Sequence, residues 1–319
     1  MSSAPRRPLV SVIIPNWNGA SHLPTCLDAL RRQTYAPIEV IVVDNASTDE
    51  SRGLLAADYP EAQVVALPTN QGFAGAVNRG IEVARGDVIA LLNNDTEADP
   101  AWVSELARAL NDHPAAGFAA AKLRLFDRRT VLHSAGDTFS RTGQANSRGV
   151  WEEDRGQYDH EGPVFSACGG AVAYRRAMLD DVGLLDEDFF FNLEDMDLAW
   201  RAQLRGYQCV FVPTALVYHK LSATGGGVTA SYYTGRNSLW LIAKDYPAEW
   251  LRRDWPRILG AQLKVTWDAV RAWCGDAARA RLRGQLAGLV GLPAVLRKRR
   301  GVQARRRVNL ADLDPLLID

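Results

Sequence analysis

The first 120 residues alternate continuous apolar runs with segments in which apolar side chains recur every three or four positions. Continuous runs are typical of parallel strands covered on both faces, and the wider spacing is typical of helices. The runs span 10–14, 38–44, 63–66 and 88–92, and the helical segments span 23–32, 47–57, 72–84 and 101–110. This alternation predicts a parallel sheet with helices on both faces.

The pattern changes twice further along the chain. Residues 131–163 are polar and contain glycine, which predicts loops and short strands. Order returns with a Gly-Gly turn, a strand and two helical segments, followed by a strand that ends in His219. After a glycine triplet at 225–227, helical segments rich in Trp, Leu and Arg follow. We therefore predict an α/β domain over 1–230 and a basic helical region over 231–319.

Polar side chains cluster where the four predicted strands end. In open α/β sheets, ligands bind at the carboxyl ends of the strands, where the chain leaves the core. The residues at these ends are Asn16, Asn18, Asp44, Asn45, Asn70, Asn93, Asn94 and Asp95. Four clusters at equivalent positions predict a crevice for a polar ligand.

Composition and charge refine this picture. The 47% hydrophobic and 23% charged residues are typical of a globular protein. The four cysteines show no CxxC spacing, which disfavours a zinc site or a disulfide framework and fits a reducing cytosol. The first apolar run is too short for a signal peptide or a membrane span. The zero net charge divides into −9 over 1–230 (20 Lys/Arg against 29 Asp/Glu) and +9 over 231–319 (17 against 8), which suggests different partners for the two parts.

Asp95 is the candidate metal ligand. It follows a buried strand and offers the hard oxygen that Mg²⁺ or Mn²⁺ prefers, with other positions left to water and a diphosphate. An Asx-rich turn is the alternative, because Asn and Asp dominate turns. His219 is either a second ligand or a structural histidine.

Two adjacent acids, Glu194 and Asp195, begin a predicted helix directly after the phenylalanines at 189–191. Apolar neighbours and adjacent like charges raise the pKa of a carboxyl group toward the range of a general base. The alternative is a helix cap, since acids at a helix N-terminus interact favourably with the helix dipole.

Three further positions have open alternatives. Asp44 can accept hydrogen bonds from a base or a ribose, or it belongs to a helix-capping cluster. Gly72 begins a helix and allows close backbone approach to a phosphate or sugar, although the spacing to Gly75 is not that of a dinucleotide fold. Arg236 either clamps a phosphate or lies solvated at the surface.

Seven motifs, taken in order, resemble the family 2 glycosyltransferases, which are inverting enzymes with a GT-A fold, and within them bacterial rhamnosyltransferase-like members. The resemblance runs from about residue 10 to about residue 241, some three quarters of the chain. The motifs are VSVIIPNWNG, VIVVDNASTD, NQGFAGAVNRG, LLNNDTEADP, CGGAVAYRR, FNLEDMDLAWRAQLRGY and YYTGRN.

The resemblance implies roles for individual residues. Asp195 would be the catalytic base, with Glu194 beside it. Asp95 and His219 would bind the metal, and Asp44 would contact the base of a nucleotide sugar. The nucleotide-sugar-binding residues that it implies are Pro15, Asn16, Asn18, Asp44, Asn45, Asn70, Gly72, Asn78, Asn93, Asn94, Gly169, Gly170 and Arg236.

The implied reaction is a single displacement with inversion. Asp195 removes a proton from an acceptor hydroxyl, which attacks the anomeric carbon, while Mg²⁺ or Mn²⁺ offsets charge on the departing nucleoside diphosphate. Asn93 stands where the family's DxD motif has its first Asp, so we expect weak, donor-dependent metal binding. The resemblance favours dTDP-rhamnose as donor, with UDP-sugars as the alternative, and a glycan or polyprenyl-linked glycan of bacterial cell-surface polysaccharide synthesis as acceptor.

Two other functional classes fit part of the pattern. A nucleotidyltransferase shares the doubly wound sheet, but it usually has a Gly-rich basic loop after the first strand, which PNWNGASHL lacks. An inactive sugar-binding module would keep the fold and lose the base, whereas Glu194 and Asp195 are both present.

The C-terminal region has the composition of basic amphipathic helices. Trp255, Trp267 and Trp273 add interfacial character, which favours peripheral contact with an anionic membrane. Packing on the catalytic domain or in a homodimer is the alternative. We expect a cytoplasmic enzyme at the inner face of the cell membrane, with a nucleotide-sugar donor and a glycan acceptor as partners, and with no nucleic acid.

Overall fold

The computed structural model describes residues 7–220 and 227–319, so the glycine triplet at 225–227 lies largely outside the described residues. The strands are Val10–Asn16 (β1), Ile38–Asp44 (β2), Gln63–Ala66 (β3), Val88–Leu92 (β4), Thr96–Ala98 (β5), Ala116–Leu125 (β6), Leu132–Ser134 (β7), Asp137–Ser140 (β8), Ala145–Ser147 (β9), Gly162–Val164 (β10), Ala171–Arg175 (β11), Gln208–His219 (β12) and Leu317–Ile318 (β13). The α-helices are Leu23–Arg31 (α1), Ser51–Asp58 (α2), Gly72–Val83 (α3), Trp102–Asp112 (α4), Arg176–Val182 (α5), Glu194–Leu204 (α6), Val228–Lys244 (α7), Ala248–Arg271 (α8), Asp276–Ala304 (α9) and Leu310–Leu313 (α10).

The four apolar runs form the parallel part of a mixed sheet. Within the described ranges this sheet has ten strands, in the order β10-β12-β6-β11-β4-β1-β2-β3, with β5 beside β12 and β7 beside β6. β1 pairs in parallel with β2 and β4, and β2 pairs in parallel with β3. β11 is antiparallel to both β4 and β6, which makes the sheet mixed. The predicted fold class is confirmed.

Both faces of the sheet are covered by helices. Successive side chains of a strand point to opposite faces, so Val12 and Ile14 join the core with α1 and α4, whereas Ile13 joins the core with α3. Gly80 lets α3 approach β1 closely, because a Cβ there would lie 2.4 Å from Cγ2 of Ile13. With both faces closed, the strand ends are the places where the sheet can present polar groups to a ligand.

An aromatic cluster joins the sheet domain to the C-terminal region. The centroids of the Phe165 and Trp200 rings are 4.7 Å apart, and Phe139, Tyr246 and Trp250 complete the cluster. The second sheet, β13-β8-β9, brings the last strand of the chain beside this cluster. Large buried aromatic rings dominate the energetics of such contacts, so the cluster anchors α7 and α8 to α6.

Glycines bring α9 and α7 into close contact. A Cβ on Gly284 would lie 2.0 Å from the carbonyl oxygen of Tyr232, and one on Gly291 would lie 2.5 Å from the Trp240 ring. From the opposite side, a Cβ on Gly235 of α7 would lie 2.5 Å from the carbonyl oxygen of Arg281. The two helices therefore touch backbone to backbone, which larger side chains would prevent.

A buried ion pair fastens α7 to α6. The Nζ atom of Lys244 lies 2.5 Å from Asp197 and 2.6 Å from Asp186, and Lys244 and Asp197 are buried. Asp197, which the sequence groups with Glu194 and Asp195, thus points to Lys244. Helix α7 begins at Val228 and crosses the predicted boundary at residue 230.

The outer face of α8 is apolar and exposed. Trp255, Leu259, Leu263 and Trp267 follow each other at four-residue intervals and are 49–60% exposed. None of the helices formed by residues 7–220 and 227–319 has the length and apolar character of a membrane span.

Candidate active site

A crevice of about 440 Å³ opens at the carboxyl ends of β1, β2 and β4. This volume lies in the range of small-molecule sites. A larger opening, about 720 Å³, lies beside Pro8 and Val88 at the amino ends of the parallel strands, where open α/β sheets do not bind their ligands. The crevice is therefore the candidate site.

Most of the sequence-predicted site residues line this crevice. They are Pro15, Asn16, Asn45, Asn70, Gly72, Asn93, Asn94, Asp95, Gly169, Gly170, Glu194, Asp195 and His219. The structure thus brings together residues that lie up to 204 positions apart (15 to 219). Their roles stay predictions.

Amide side chains hold the loops of the crevice together. The Nδ2 atom of Asn45 donates to Oδ1 of Asn70 (3.0 Å) and to the carbonyl of Gly72 (3.1 Å). The Nδ2 atom of Asn94 donates to Oδ1 of Asn16 (2.7 Å). These bonds join the ends of β1, β2 and β4 to the start of α3, so the predicted binding amides also position the crevice walls.

Asp44 is buried behind an arginine. Its Oδ2 accepts a hydrogen bond from Nε of Arg52 at 2.5 Å, and the Arg52 side chain is about half exposed. The other oxygen, Oδ1, is buried and accepts no hydrogen bond from the residues that the structure describes. An unpaired buried acceptor is costly, so Asp44 retains the capacity to bind a donor group if Arg52 moves aside.

Two predicted binding residues serve the scaffold and do not line the crevice. Asn78 is buried, and its Nδ2 donates to the carbonyl of Leu185 and to Glu187 (both 2.9 Å), which ties α3 to the loop before α6. Asn18 is exposed, and its Oδ1 accepts from the backbone N–H of Thr48 (2.8 Å). Both side chains face the scaffold, a direction that the sequence does not show, and their roles in nucleotide-sugar binding stay predictions.

Asp95 and His219 form the predicted metal pair. Oδ1 of Asp95 and Nε2 of His219 are 3.1 Å apart, both side chains are buried, and Oδ1 has no hydrogen-bond partner among the described residues. Nδ1 of His219 lies 3.0 Å from Nδ1 of His133. Burial, and next the neighbouring His219, lowers the pKa of His133 to about 3, so His133 is neutral. Its Nδ1 can therefore accept a hydrogen bond from Nδ1–H of His219, which orients the His219 ring.

The metal pair offers few protein ligands. Residues 7–220 and 227–319 contain no group of three or more His, Cys, Asp or Glu side chains arranged to hold an ion. One carboxylate and one imidazole fit a divalent ion whose other positions are taken by water and a diphosphate. This donor set agrees with the weak, donor-dependent binding expected from Asn93.

Glu194 and Asp195 occupy the opposite wall. Asp195 is half-buried, and its Oδ2 accepts a hydrogen bond from the backbone N–H of Gly169 at 2.8 Å. Glu194 is buried, and its Oε2 accepts no hydrogen bond within the described part of the chain. Burial raises the pKa of Asp195, and burial together with the Asp195 charge raises the pKa of Glu194 well above its usual range. A raised pKa makes the ionised form of a carboxyl group a stronger proton acceptor.

The loop before these acids has an unusual backbone. Phe190, Asn192 and Leu193 have positive φ values of 61°, 64° and 69°, which side-chain-bearing residues rarely adopt. The Nδ2 atom of Asn237 donates to three carbonyls of this loop, and Arg236 donates to the carbonyls at 188 and 189. The Arg236 guanidinium thus holds this loop and stacks on Trp240, and its role as a phosphate clamp stays a prediction.

The sequence reasoning missed several residues that line the crevice. They are Trp17, Phe73, His133, Cys168, Asn192, Thr229 and Ala230. Trp17 lies inside the PNWNG motif and could have been found there, since it separates two predicted binding residues. Asp137 was also missed: burial, and next the charge of Asp195, raises its pKa to about 7. His133 and Asp137 lie in the polar stretch 131–163, where the hydrophobic pattern predicts only loops and short strands.

A mixed sheet covered on both faces, with a crevice at the carboxyl ends of its strands, is the arrangement of the GT-A fold. Solved structures with this fold include a mannosyltransferase from Pyrobaculum calidifontis in complex with GDP-Man and Mn²⁺ (TM-score 0.56, 17% identity, 94% of this chain and 86% of that one). TarS of S. aureus is also similar (TM-score 0.56, 20% identity, 92% and 90%).

The sequence comparison specifies the family. Residues 11–183 match the profile of Glycosyl transferase family 2, and the chain belongs to this family. It is 27% identical over 267 residues to N-acetylglucosaminyl-diphospho-decaprenol L-rhamnosyltransferase of Mycobacterium tuberculosis, covering 76% of this chain and 87% of the relative. It is 29% identical over 182 residues to a PGL/p-HBAD biosynthesis glycosyltransferase of Mycobacterium bovis, covering 55% and 62%. The predicted enzyme class is confirmed.

Proposed function

We propose that this glycosyltransferase moves rhamnose from dTDP-rhamnose, with inversion, to a sugar hydroxyl of a lipid-linked glycan acceptor. The observation that carries the proposal is the position of Asp195, which lines the crevice and accepts a hydrogen bond from the backbone N–H of Gly169. The similarity to the mycobacterial rhamnosyltransferase supports rhamnose as the transferred sugar. A UDP-sugar is the second candidate donor, because it presents the same type of diphosphate.

In the proposed reaction, Asp195 accepts the proton of the acceptor hydroxyl while the hydroxyl oxygen bonds to the anomeric carbon. The bond from that carbon to the diphosphate oxygen breaks, and its electron pair leaves with the nucleoside diphosphate. One displacement inverts the configuration. Burial together with the Asp195 charge raises the pKa of Glu194, which disfavours a second negative charge beside the base. The N–H of Gly169 holds Asp195 in place.

The nucleotide occupies the crevice wall formed by the ends of β1 and β2. Asn45, Asn70 and Gly72 lie where a ribose and a diphosphate can approach the start of α3. The unpaired Oδ1 of Asp44 binds an N–H of the base once Arg52 moves aside. Trp17, about half exposed, offers an aromatic face beside them.

Asp95 and His219 would hold Mg²⁺ or Mn²⁺. The unpaired Oδ1 of Asp95 supports this assignment, since a cation would satisfy it. A bound ion would offset the negative charge on the departing diphosphate. Asn93 and His133 would position the ligand His219, whose Nε2 lies 3.4 Å from Nδ2 of Asn93.

Helix α8 is the proposed membrane contact of a cytoplasmic, peripheral enzyme. The exposed row from Trp255 to Trp267 is flanked by Arg257, Lys264 and Arg271, which recur every seven residues. An apolar row beside a basic row suits the interface of an anionic bilayer. A homodimer across the same face is the alternative.

The experiment is a thermal-shift and hydrolysis screen of nucleotide sugars with and without Mn²⁺. We expect dTDP-rhamnose with Mn²⁺ to raise the melting temperature most, because a ligand that binds the folded state stabilises it. Slow release of dTDP would report turnover. A chain that released no nucleoside diphosphate from any nucleotide sugar would contradict the proposed function, and a preference for a UDP-sugar would reassign the donor.

A further inference from the structure

A second cleft, of about 240 Å³, lies between the catalytic domain and the C-terminal helices. Its walls come from β9 and the residue before it, from the residue before α6, and from α7, α8 and α9. Most of its polar side chains are neutral amides and hydroxyls, and Arg281 of α9 is its charged residue. The cleft therefore has the lining of a site for an anionic or sugar-like group.

Arg281 has no counter-ion within the described residues. Its guanidinium takes part in no ion pair or hydrogen bond there, and the two segments that are not described contain no acidic residue. Burial lowers the pKa of Arg281, and no carboxylate offsets this effect. A partly buried guanidinium without an anion is costly. Arg236 and Arg299 are also partly buried, but they donate hydrogen bonds to backbone carbonyls, which reduces this cost.

Two amide side chains in the cleft likewise have no hydrogen-bond partner among the described residues. The side-chain amides of Gln144 and Gln262 form no hydrogen bond with any described residue. An arginine fork and two free amides together can bind phosphate oxygens and sugar hydroxyls. Gln285, by contrast, is bonded to Thr266 and serves the packing of α8 on α9.

The cleft shares a wall with the active site. Thr234 lines the cleft, and its Oγ1 accepts a hydrogen bond at 3.3 Å from Asn192, which lines the crevice. Leu193 lines the cleft and directly precedes Glu194 and Asp195. Arg281 touches this wall as well, because its carbonyl lies against Gly235. The cleft and the crevice are thus separated by a wall that contains Asn192, Leu193 and Thr234.

We propose that this cleft binds the phosphate groups of the acceptor, with Arg281 as the cation that recognises a prenyl diphosphate. This inference rests on the proposed function and names the subsite for its acceptor. The donor diphosphate approaches the acidic crevice, where a metal would be needed, whereas the acceptor diphosphate approaches a fixed cation. Two diphosphates of similar charge are thereby directed to different sites.

The cleft lies beside α8, where a lipid chain attached to the bound phosphate could extend. The cleft is partly lined by Val265 of α8, and the same helix presents Leu263 and Trp267 on its outer face. A prenyl chain attached to a phosphate at Arg281 lies beside the helix that we propose to contact the membrane. The cleft therefore connects the bilayer surface with the catalytic acids.

The test is equilibrium binding of geranyl diphosphate to the full-length chain in EDTA, so that the metal pair does not attract the probe. We compare wild type with Arg281→Gln, Arg281→Lys, Arg283→Gln and Asp95→Asn. Arg283 is the matched control, because it is an exposed arginine on the same helix and its loss changes the net charge equally. Thermal melts show whether each variant is folded, and Arg281→Lys keeps the charge if Arg281→Gln fails to fold.

We expect Arg281→Gln to weaken binding roughly 10- to 100-fold, as for the loss of charged hydrogen bonds. Arg281→Lys should lose less, and Arg283→Gln and Asp95→Asn should bind like wild type. Geraniol should bind much more weakly than its diphosphate, and inorganic pyrophosphate should bind more weakly than geranyl diphosphate. The matching kinetic result is a higher KM for a sugar-diphospho-prenyl acceptor in Arg281→Gln, with unchanged hydrolysis of the nucleotide sugar.

Wild-type affinity in folded Arg281→Gln would place the diphosphate outside the cleft, and a clearly changed affinity in Asp95→Asn would place it in the crevice; either result would overturn the proposal. An equal loss in Arg283→Gln would reveal a diffuse basic surface and would also overturn it, as would equal affinity for inorganic pyrophosphate. If no nucleotide sugar were hydrolysed while these binding results held, the proposed function would fail and the anion site would stand.

Discussion

The strand-end crevice and the interhelical cleft are neighbours with opposite electrostatics. The crevice contains Asp95, Glu194 and Asp195, and its cation would have to come from solution. The cleft contains Arg281 and neutral amides, so its cation is built in. A recruited cation makes binding in the crevice depend on metal concentration and pH, whereas a guanidinium stays charged at all physiological pH values. In the proposed reaction, this difference would give the two phosphate-bearing substrates separate sites.

The largest effect is expected from Asp195→Asn. The amide keeps the shape of the carboxylate but accepts no proton, so kcat should fall roughly 100- to 10,000-fold. Steady-state rates and titration of the donor would measure this. Binding of geranyl diphosphate to the cleft should not change, and Asp188→Asn, an exposed acid on the same loop, is the control. A rate close to that of wild type in folded Asp195→Asn would remove Asp195 from the chemistry.

A smaller effect is expected from His133→Gln. His133 contacts Nδ1 of His219, and loss of such a partner of a metal ligand typically weakens metal binding roughly 10- to 100-fold. Titration of Mn²⁺ by electron paramagnetic resonance, in the presence of dTDP, measures this without turnover. The exposed His113→Gln is the control. Unchanged Mn²⁺ affinity would show that His133 only fills space.

The buried acid Asp137, which does not line the crevice, should make stability depend on pH. Asp137 has a pKa of about 7 in the folded chain against an ordinary value of 3.8, so its folded state holds a proton that the unfolded state releases. Its contribution to stability is complete below about pH 4 and is lost as the pH rises through 7. At pH 8, Asp137→Asn should therefore gain about 1 kcal/mol or more over wild type, relative to pH 5. Urea unfolding at both pH values tests this, with the exposed Asp127→Asn as control; parallel curves for the Asp137 variant and wild type would contradict it.

The smallest effect is expected at the membrane face. Trp267→Ala should reduce binding to vesicles with an anionic lipid roughly three- to tenfold, since one interfacial aromatic ring contributes about 1 kcal/mol. Trp151→Ala is the matched control, because Trp151 is exposed to a similar degree (58% against 60%) on a loop outside the C-terminal helices. Equal losses would contradict a specific face. Loss of a dimer in Trp267→Ala, seen by sedimentation, would instead assign this face to a second copy of the chain.

The sequence was sufficient for the parts of the molecule that depend on local pattern. Continuous apolar runs predicted β1 to β4, and polar residues at their ends predicted Asp95 in the crevice. Glu194 and Asp195 were found because an acid pair after three phenylalanines is unusual in composition. The carboxyl ends of parallel strands meet at one edge, so strand order brings the polar residues after β1, β2 and β4 close together, whereas Glu194 and Asp195 come from the start of α6.

The remaining features depend on side-chain direction and distant partners. Asn78 and Arg236 belong to expected motifs, but Asn78 faces Leu185 and Arg236 faces the loop at 188–189, and neither direction can be seen in a one-dimensional pattern. His133 and Arg281 were missed because their surroundings form only when β7 joins β6 and when α9 packs on α7. A cationic side chain without a counter-ion, such as Arg281, can be recognised only when the positions of all nearby acidic side chains are known.

The glycine contacts between α7 and α9 would let the enzyme select acceptors by length. Gly235 packs against the carbonyl of Arg281, and the Thr234 side chain accepts a hydrogen bond from the Asn192 side chain, so these contacts would limit changes in the span from Arg281 to Asp195. In the proposed arrangement, an acceptor held by its phosphate at Arg281 would present a hydroxyl to Asp195 only if its sugar chain matches that span. Acceptors of graded length should therefore show one preferred length, and Gly235→Ala, which pushes α9 outward, should shift the preference toward a longer chain.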